Sequence, residues 1–140
     1  MKVKEIMTTD VELIRPDDTL QVAAQRMANR DIGFLPVCDG DRLVGVITDR
    51  DLVLRGIAQG MNSNAMLGRE LMTSPFIYCF EDQDVKEAAK LMEENQIRRL
   101  VVLSPPTKRL VGVVSLGDLA LNSKSDTSAE VLQKVSEPID

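Results

Sequence analysis

Hydrophobic and polar positions follow one pattern twice along the chain. Apolar residues first fall at Leu20, Ala23, Ala24 and Met27, the i, i+3, i+4, i+7 spacing of a helix with one buried face. Two short apolar runs follow, "FLPVC" and "LVGVI", joined by the turn signal Asp39-Gly40-Asp41. The same order returns with Val85, Ala88, Ala89 and Met92, then "LVVLS" and "LVGVV", joined through Pro105-Pro106. A short β-rich segment precedes each helix, at residues 11–14 and 76–79, and a second helix closes each unit, "DRDLVLRGIAQG" and then "LGDLALN". Thr19 and Asp84 stand where N-caps belong, and Glu87 completes a capping box in the second copy. Each copy therefore reads strand, helix, strand, strand, helix.

The copies align residue by residue. Met7 lies over Met72 at an offset of 65, with Thr over Thr next to it, and Ile32 and Leu35 lie over Ile97 and Leu100. Two residues are inserted around "SPPTK", so Gly45 meets Gly112 at an offset of 67, and Asp51 meets Asp118. One such unit leaves an apolar sheet face uncovered, which a second copy can cover. The expected fold is α/β in the α+β sense: two β-α-β-β-α repeats packed sheet to sheet about a pseudo-two-fold axis. The expected domains are 1–66, the first repeat with its N-terminal segment and linker, 67–122, the second repeat, and a tail, 123–140. In the tail, Thr127 and Glu130 form a capping box for a short helix over 129–135, which Glu137-Pro138 stops.

Composition removes several function classes. The 140 residues are 44% hydrophobic and 28% charged, a soluble globular profile, and no apolar run is long enough to span a bilayer. The N-terminus "MKVKEIMTTD" lacks the apolar core of an export signal, so a cytoplasmic protein is expected. The net charge of −5 argues against a nucleic-acid surface. With no histidine there is no Ser-His or Cys-His pair and no His-ligated zinc. Cys38 and Cys79 sit in no metal or redox spacing and are expected to be reduced and buried. The seven methionines read as core filler.

One phrase remains to be explained. Residues 45–51 read "GVITDRD" and residues 112–118 read "GVVSLGD". Thr48 and Asp51, like Ser115 and Asp118, have the spacing of a helix N-cap and its N3 acid, and capping alone accounts for such a junction. The same geometry also suits a ligand: an Asp in the first turn offers two acceptor oxygens to a ribose diol, Thr48 lies beside it, and Arg50 is near enough to meet phosphate.

"DIGFLPV" with "GVITDRDL", and "QIRRLVV" with "GVVSLGDL", resemble a pair of cystathionine-β-synthase (CBS) domains, the tandem called a Bateman module, over residues 1–122. The resemblance implies a regulatory module that binds AMP, ADP, ATP or S-adenosylmethionine in the cleft between repeats. By that likeness Asp51 and Asp118 hold ribose, with Thr48 and Ser115 beside them. The basic pair that reads phosphate falls on Arg98 and Arg99, facing the Asp51 site, while the first repeat has Gly33 and Phe34 there. Phe34 could stack on adenine or pack; Gly33 and Pro36 could admit a base or only shape a strand edge. Arg50 is matched by Gly117 and Pro36 by Val101, so two unequal sites are expected, with Asp51 the stronger. The implied assembly is a homodimer acting on an unidentified regulated protein, with no nucleic acid, membrane or metal. The competing readings are a ligand-free dimerisation module and, less favoured, a nucleotide-processing enzyme.

Overall fold

The computed structural model describes residues 1–60, 62–122, 135 and 136. The tail capping box of Thr127 and Glu130, and nearly all of the helix expected after it, lie outside the described residues. The chain folds as two compact units, one of residues 12–76 and one of residues 1–11 with 77–140. Both mix helices with strands, the α+β fold expected from the sequence.

The unit of residues 12–76 opens with helix α1, Leu20–Arg30, whose buried stripe is Leu20, Ala23 and Met27. Thr19 caps it: its hydroxyl oxygen accepts the Val22 N–H at 3.3 Å. The chain leaves α1 through Asp31 in the left-handed region. Strands β1, Phe34–Asp39, and β2, Arg42–Thr48, then form an antiparallel hairpin. Its turn holds Gly40 at φ 61°, a conformation glycine adopts without steric cost. A helical run over residues 49–59, here α2, follows at once: an α turn at Asp49–Asp51, a π turn at Leu52–Gly56 and a tighter turn at Ile57–Gln59. A short helix α3, Gly68–Leu71, completes the unit. The core joins Ile14, Leu20, Ala23, Met27, Leu35, Val37, Ile47, Leu52, Met66 and Leu71.

The other unit holds β3, Tyr78–Phe80, α4, Val85–Asn95, β4, Arg99–Leu103, β5, Leu110–Ser115, and α5, Leu116–Asn122. β3 pairs parallel with β4, and β4 antiparallel with β5. Asp84 caps α4 by accepting the Lys86 N–H at 2.9 Å. Glu87 does not close the expected capping box; its carboxylate accepts the Gln83 side-chain amide at 2.6 Å. The core here includes Val3, Cys79, Ala88, Met92, Leu100, Val114 and Leu119.

The strand expected over residues 11–14 is reduced to one parallel bridge, Ile14 to Val37, whereas its counterpart β3 is a true strand. The reason is Pro36. Ile14 donates to the Pro36 carbonyl at 3.0 Å and Cys38 donates back to Ile14 at 2.9 Å. The next ladder bond would need an N–H on Pro36, which proline lacks. At the matching place Val101 pairs with Tyr78. The Leu13 carbonyl instead accepts the Arg26 guanidinium at 2.8 Å.

The segment that leads into each repeat packs in the unit of the other. Gly68 and Arg69 donate to the carbonyls of Asp18 and Pro16, and Thr73 exchanges hydrogen bonds with Val46. At the equivalent places Val3 and Lys4 donate to Gln83 and Glu81, and Thr8 exchanges hydrogen bonds with Val113. Residues 67–73, assigned by the sequence to the second repeat, thus sit in the unit of residues 12–76. This exchange gives the two repeated signals, Met-Thr and the glycine of the phrase, a common cause. A Cβ on Gly45 would lie 2.6 Å from Met72 Sδ, and one on Gly112 would lie 2.7 Å from Met7 Sδ and 2.8 Å from the Thr8 carbonyl oxygen. Each glycine makes the seat for a methionine of the incoming segment.

Candidate ligand-binding site

At the end of β2 the chain turns straight into α2, and Thr48 and Asp51 close on each other. The Thr48 N–H donates to Asp51 Oδ2 at 2.9 Å, and the Asp51 N–H donates to Thr48 Oγ1 at 3.2 Å. At the end of β5 the arrangement repeats, with Ser115 N–H to Asp118 Oδ2 at 2.8 Å and Asp118 N–H to Ser115 Oγ at 3.1 Å. The capping reading is therefore correct at both junctions. Each cap engages one carboxylate oxygen and leaves the other, Oδ1, with acceptor capacity.

The surroundings differ. Phe34 pairs with Thr48 across the hairpin and is half-buried, and the Gly33 carbonyl accepts the Asp49 N–H at 3.0 Å. A Cβ on Gly33 would stand 2.7 Å from Asp49 Oδ2, so this glycine makes room for the Asp49 side chain. Pro36 is buried within β1. Arg50 is exposed, and its backbone N–H donates to Asp49 Oδ1 at 2.9 Å. Arg55 lies one turn on, with Nε 3.7 Å from Asp51 Oδ1; the Asp51 side chain is 16% exposed and that of Arg55 49%. Arg55 is the residue that sequence reading missed. Its signal was present as an Asp-to-Arg i, i+4 pair on a helix.

In the other unit Arg99 pairs with Ser115 across β4 and β5, and the Arg98 carbonyl accepts the Leu116 N–H at 2.8 Å. Both arginines are exposed, and neither makes an ion pair among the described residues. Leu116 and Gly117 stand where Asp49 and Arg50 do, and Asn122 stands in place of Arg55. Each unit thus gathers its own candidates: Gly33, Phe34, Thr48, Arg50 and Asp51 in one, Arg98, Arg99, Ser115 and Asp118 in the other.

Other chemistry is scarce. Cys38 and Cys79 are buried and unpaired; burial pushes the Cys79 thiol up to about 12, and burial with the nearby Asp41 raises Cys38. Neither is an activated nucleophile. Among the described residues no group of three or more His, Cys, Asp or Glu could hold a metal ion, and no helix is long and apolar enough to cross a membrane.

Comparison with known proteins adds the family. The CBS domain model matches residues 3–56 and 68–124. The chain is 36% identical over 137 residues to hypoxic response protein 1 of Mycobacterium tuberculosis, covering 97% of this chain and 94% of that protein. It superposes on a crystal structure of hypoxic response protein I with two coordinated zinc ions at a TM-score of 0.80, with 38% identity, covering 89% of this chain and all of that one. A third likeness is to the CBS domain pair of protein MJ0100, in complex with 5′-methylthioadenosine and S-adenosyl-L-methionine, with a TM-score of 0.76 and 27% identity over 86% of this chain and 94% of that one.

Proposed function

The chain belongs to the CBS domain family, and from that premise we propose that it is a regulatory module that binds an adenosine-containing ligand at its hydroxyl–Asp junctions. The ribose diol donates to the Asp51 carboxylate, with Asp118 as the second site and Thr48 and Ser115 beside them. Arg50, Arg98 and Arg99 read phosphate, and Phe34 lies next to the base. The adenosine compounds bound by the MJ0100 domain pair support this ligand class. The observation that carries the reading is Arg98 and Arg99: two adjacent exposed cations without an ion pair among the described residues, beside a hydroxyl–Asp junction, in a chain of net charge −5. Left in solvent such a pair only adds surface charge, whereas a bound phosphate would engage both guanidiniums.

The module acts through its ligand and its assembly and not as an enzyme; the buried thiols and the absence of histidine support that. The test is a thermal-shift series with adenosine, AMP, ADP, ATP and S-adenosylmethionine, because a bound ligand raises the melting temperature by mass action. Stabilisation by at least one of them supports the proposal, and none by any of them refutes it.

A ligand-free self-association module is the second reading, favoured by apolar residues left at the surface. Helices α1 and α4 offer little such surface, since Ala23, Met27, Ala88, Ala89 and Met92 are buried in their own units. Among the described residues the exposed large apolar side chains include Val53, Leu54 and Ile57 on α2 and Leu121 on α5. We assign the homodimer contact to these, as apolar surface of this kind marks association sites.

A further inference from the structure

We propose that Arg55 couples ligand capture to the incoming segment: it competes with the ligand for Asp51 and, through the same guanidinium, holds residues 67–73 against the unit of residues 12–76. The inference rests on the ribose reading of Asp51. Asp51 Oδ2 is taken by the Thr48 N–H, so Oδ1 is the oxygen a diol would use, and Oδ1 is the oxygen that Arg55 faces at 3.7 Å. The same side chain donates from Nη1 to the carbonyl oxygens of Met72, at 3.1 Å, and Leu71, at 3.4 Å. Those carbonyls belong to the segment that seats Met72 on Gly45 and ends in the Thr73–Val46 bridge.

The backbone fixes this placement. Helix α2 widens to a π turn over Leu52–Gly56, and Gly56 rests against Leu20, whose Cδ1 leaves no room for a Cβ there. A π turn inside a helix is uncommon and tends to occur at functional positions. The other unit lacks the device. Asn122 replaces Arg55, and its side-chain amide donates to the Asp118 carbonyl at 2.8 Å, so among the described residues no guanidinium ties Asp118 to residues 1–8. A half-exposed ion pair at this distance is weak, which suits a contact that a ligand must displace. Diol hydroxyls donating to Oδ1 draw the guanidinium away from the carboxylate, and its grip on the two carbonyls goes with it.

Amide hydrogen exchange at Met72 and Thr73, measured alongside AMP affinity, tests the coupling in the native chain, Arg55→Ala, Arg55→Lys and Asp51→Ala. In the native chain AMP is expected to speed exchange at both amides. Arg55→Ala should exchange faster without ligand, show no further change with AMP, and bind AMP about two- to fivefold tighter, the size of a lost exposed ion pair. Arg55→Lys keeps the charge beside Asp51 but not the planar fork. It should keep native affinity while exchanging like Arg55→Ala, which a general loss of stability would not reproduce. AMP binding that depends on Asp51 but leaves exchange at Met72 and Thr73 unchanged overturns the coupling alone. A native chain that binds no AMP overturns both the coupling and the ribose reading beneath it.

Discussion

At the end of β2, Thr48 and Asp51 are flanked by Gly33, Asp49, Arg50 and Arg55; at the end of β5, Ser115 and Asp118 are flanked by Arg98, Arg99, Leu116 and Gly117. The hydrogen bonds inside the two pairs match to within about a tenth of an ångström. The charges around them do not match. One junction has two carboxylates and two arginines, and the other has one carboxylate and two arginines that make no ion pair among the described residues. What is repeated already serves folding, since the glycine seats a methionine and the hydroxyl and Asp cap a helix, whatever ligand the second carboxylate oxygen takes. What is not repeated is left for ligand choice. Duplication of the phrase is thus no evidence for a ligand, and the proposal stands on the arginines and the family.

The comparison breaks most sharply at the two carboxylates. Asp51→Ala is expected to weaken AMP binding ten- to a hundredfold, the loss of a charge-assisted hydrogen bond of about 1.5–3 kcal/mol. Asp118→Ala should weaken the first binding event less than about tenfold. Calorimetric titration separates them, and equal effects would remove the asymmetry of the sites. Both variants should also lose about 1 kcal/mol of stability or less, because both carboxylates serve caps.

The folding half of the comparison is sharpened at the glycines. Gly112→Ala places a methyl 2.8 Å from the Thr8 carbonyl oxygen as well as against Met7. It should cost about 1–3 kcal/mol, as overpacking does. The atoms closest to a Cβ on Gly45 all belong to the flexible Met72 side chain, so Gly45→Ala should fall near the low end, about 1 kcal/mol. Urea unfolding measures both, and a larger loss at Gly45 would contradict the seating argument.

The smallest effect is expected at the cations. Arg99→Ala should reduce the preference for AMP over adenosine about two- to fivefold, and added salt should shrink that difference because the side chain is exposed. If native chain binds adenosine and AMP equally, the arginines do not read phosphate.

Much of this was legible in the sequence. Helical spacing gave α1 and α4, turn residues gave the hairpins, and the paired Thr-Asp and Ser-Asp spacings gave both caps. Three features were hidden for definite reasons. The exchange of leading segments is invisible because Met7-Thr8 and Met72-Thr73 align with each other whichever unit receives them. Pro36 was read as a possible ligand contact, although a missing N–H also erases the neighbouring strand. Arg55 escaped because the phrase was read only to Asp51, and its partners Leu71 and Met72 offer backbone oxygens, which no residue type advertises.

The central claim is that the two hydroxyl–Asp junctions hold an adenosine ligand and do more than cap helices. Calorimetric titration of AMP into the native chain and into the double variant Asp51→Ala, Asp118→Ala tests it most directly, with circular dichroism to show that the variant is folded. Saturable binding to the native chain that vanishes in the folded double variant is the predicted result. A folded double variant that binds AMP as tightly as the native chain would reduce both carboxylates to caps and contradict the account.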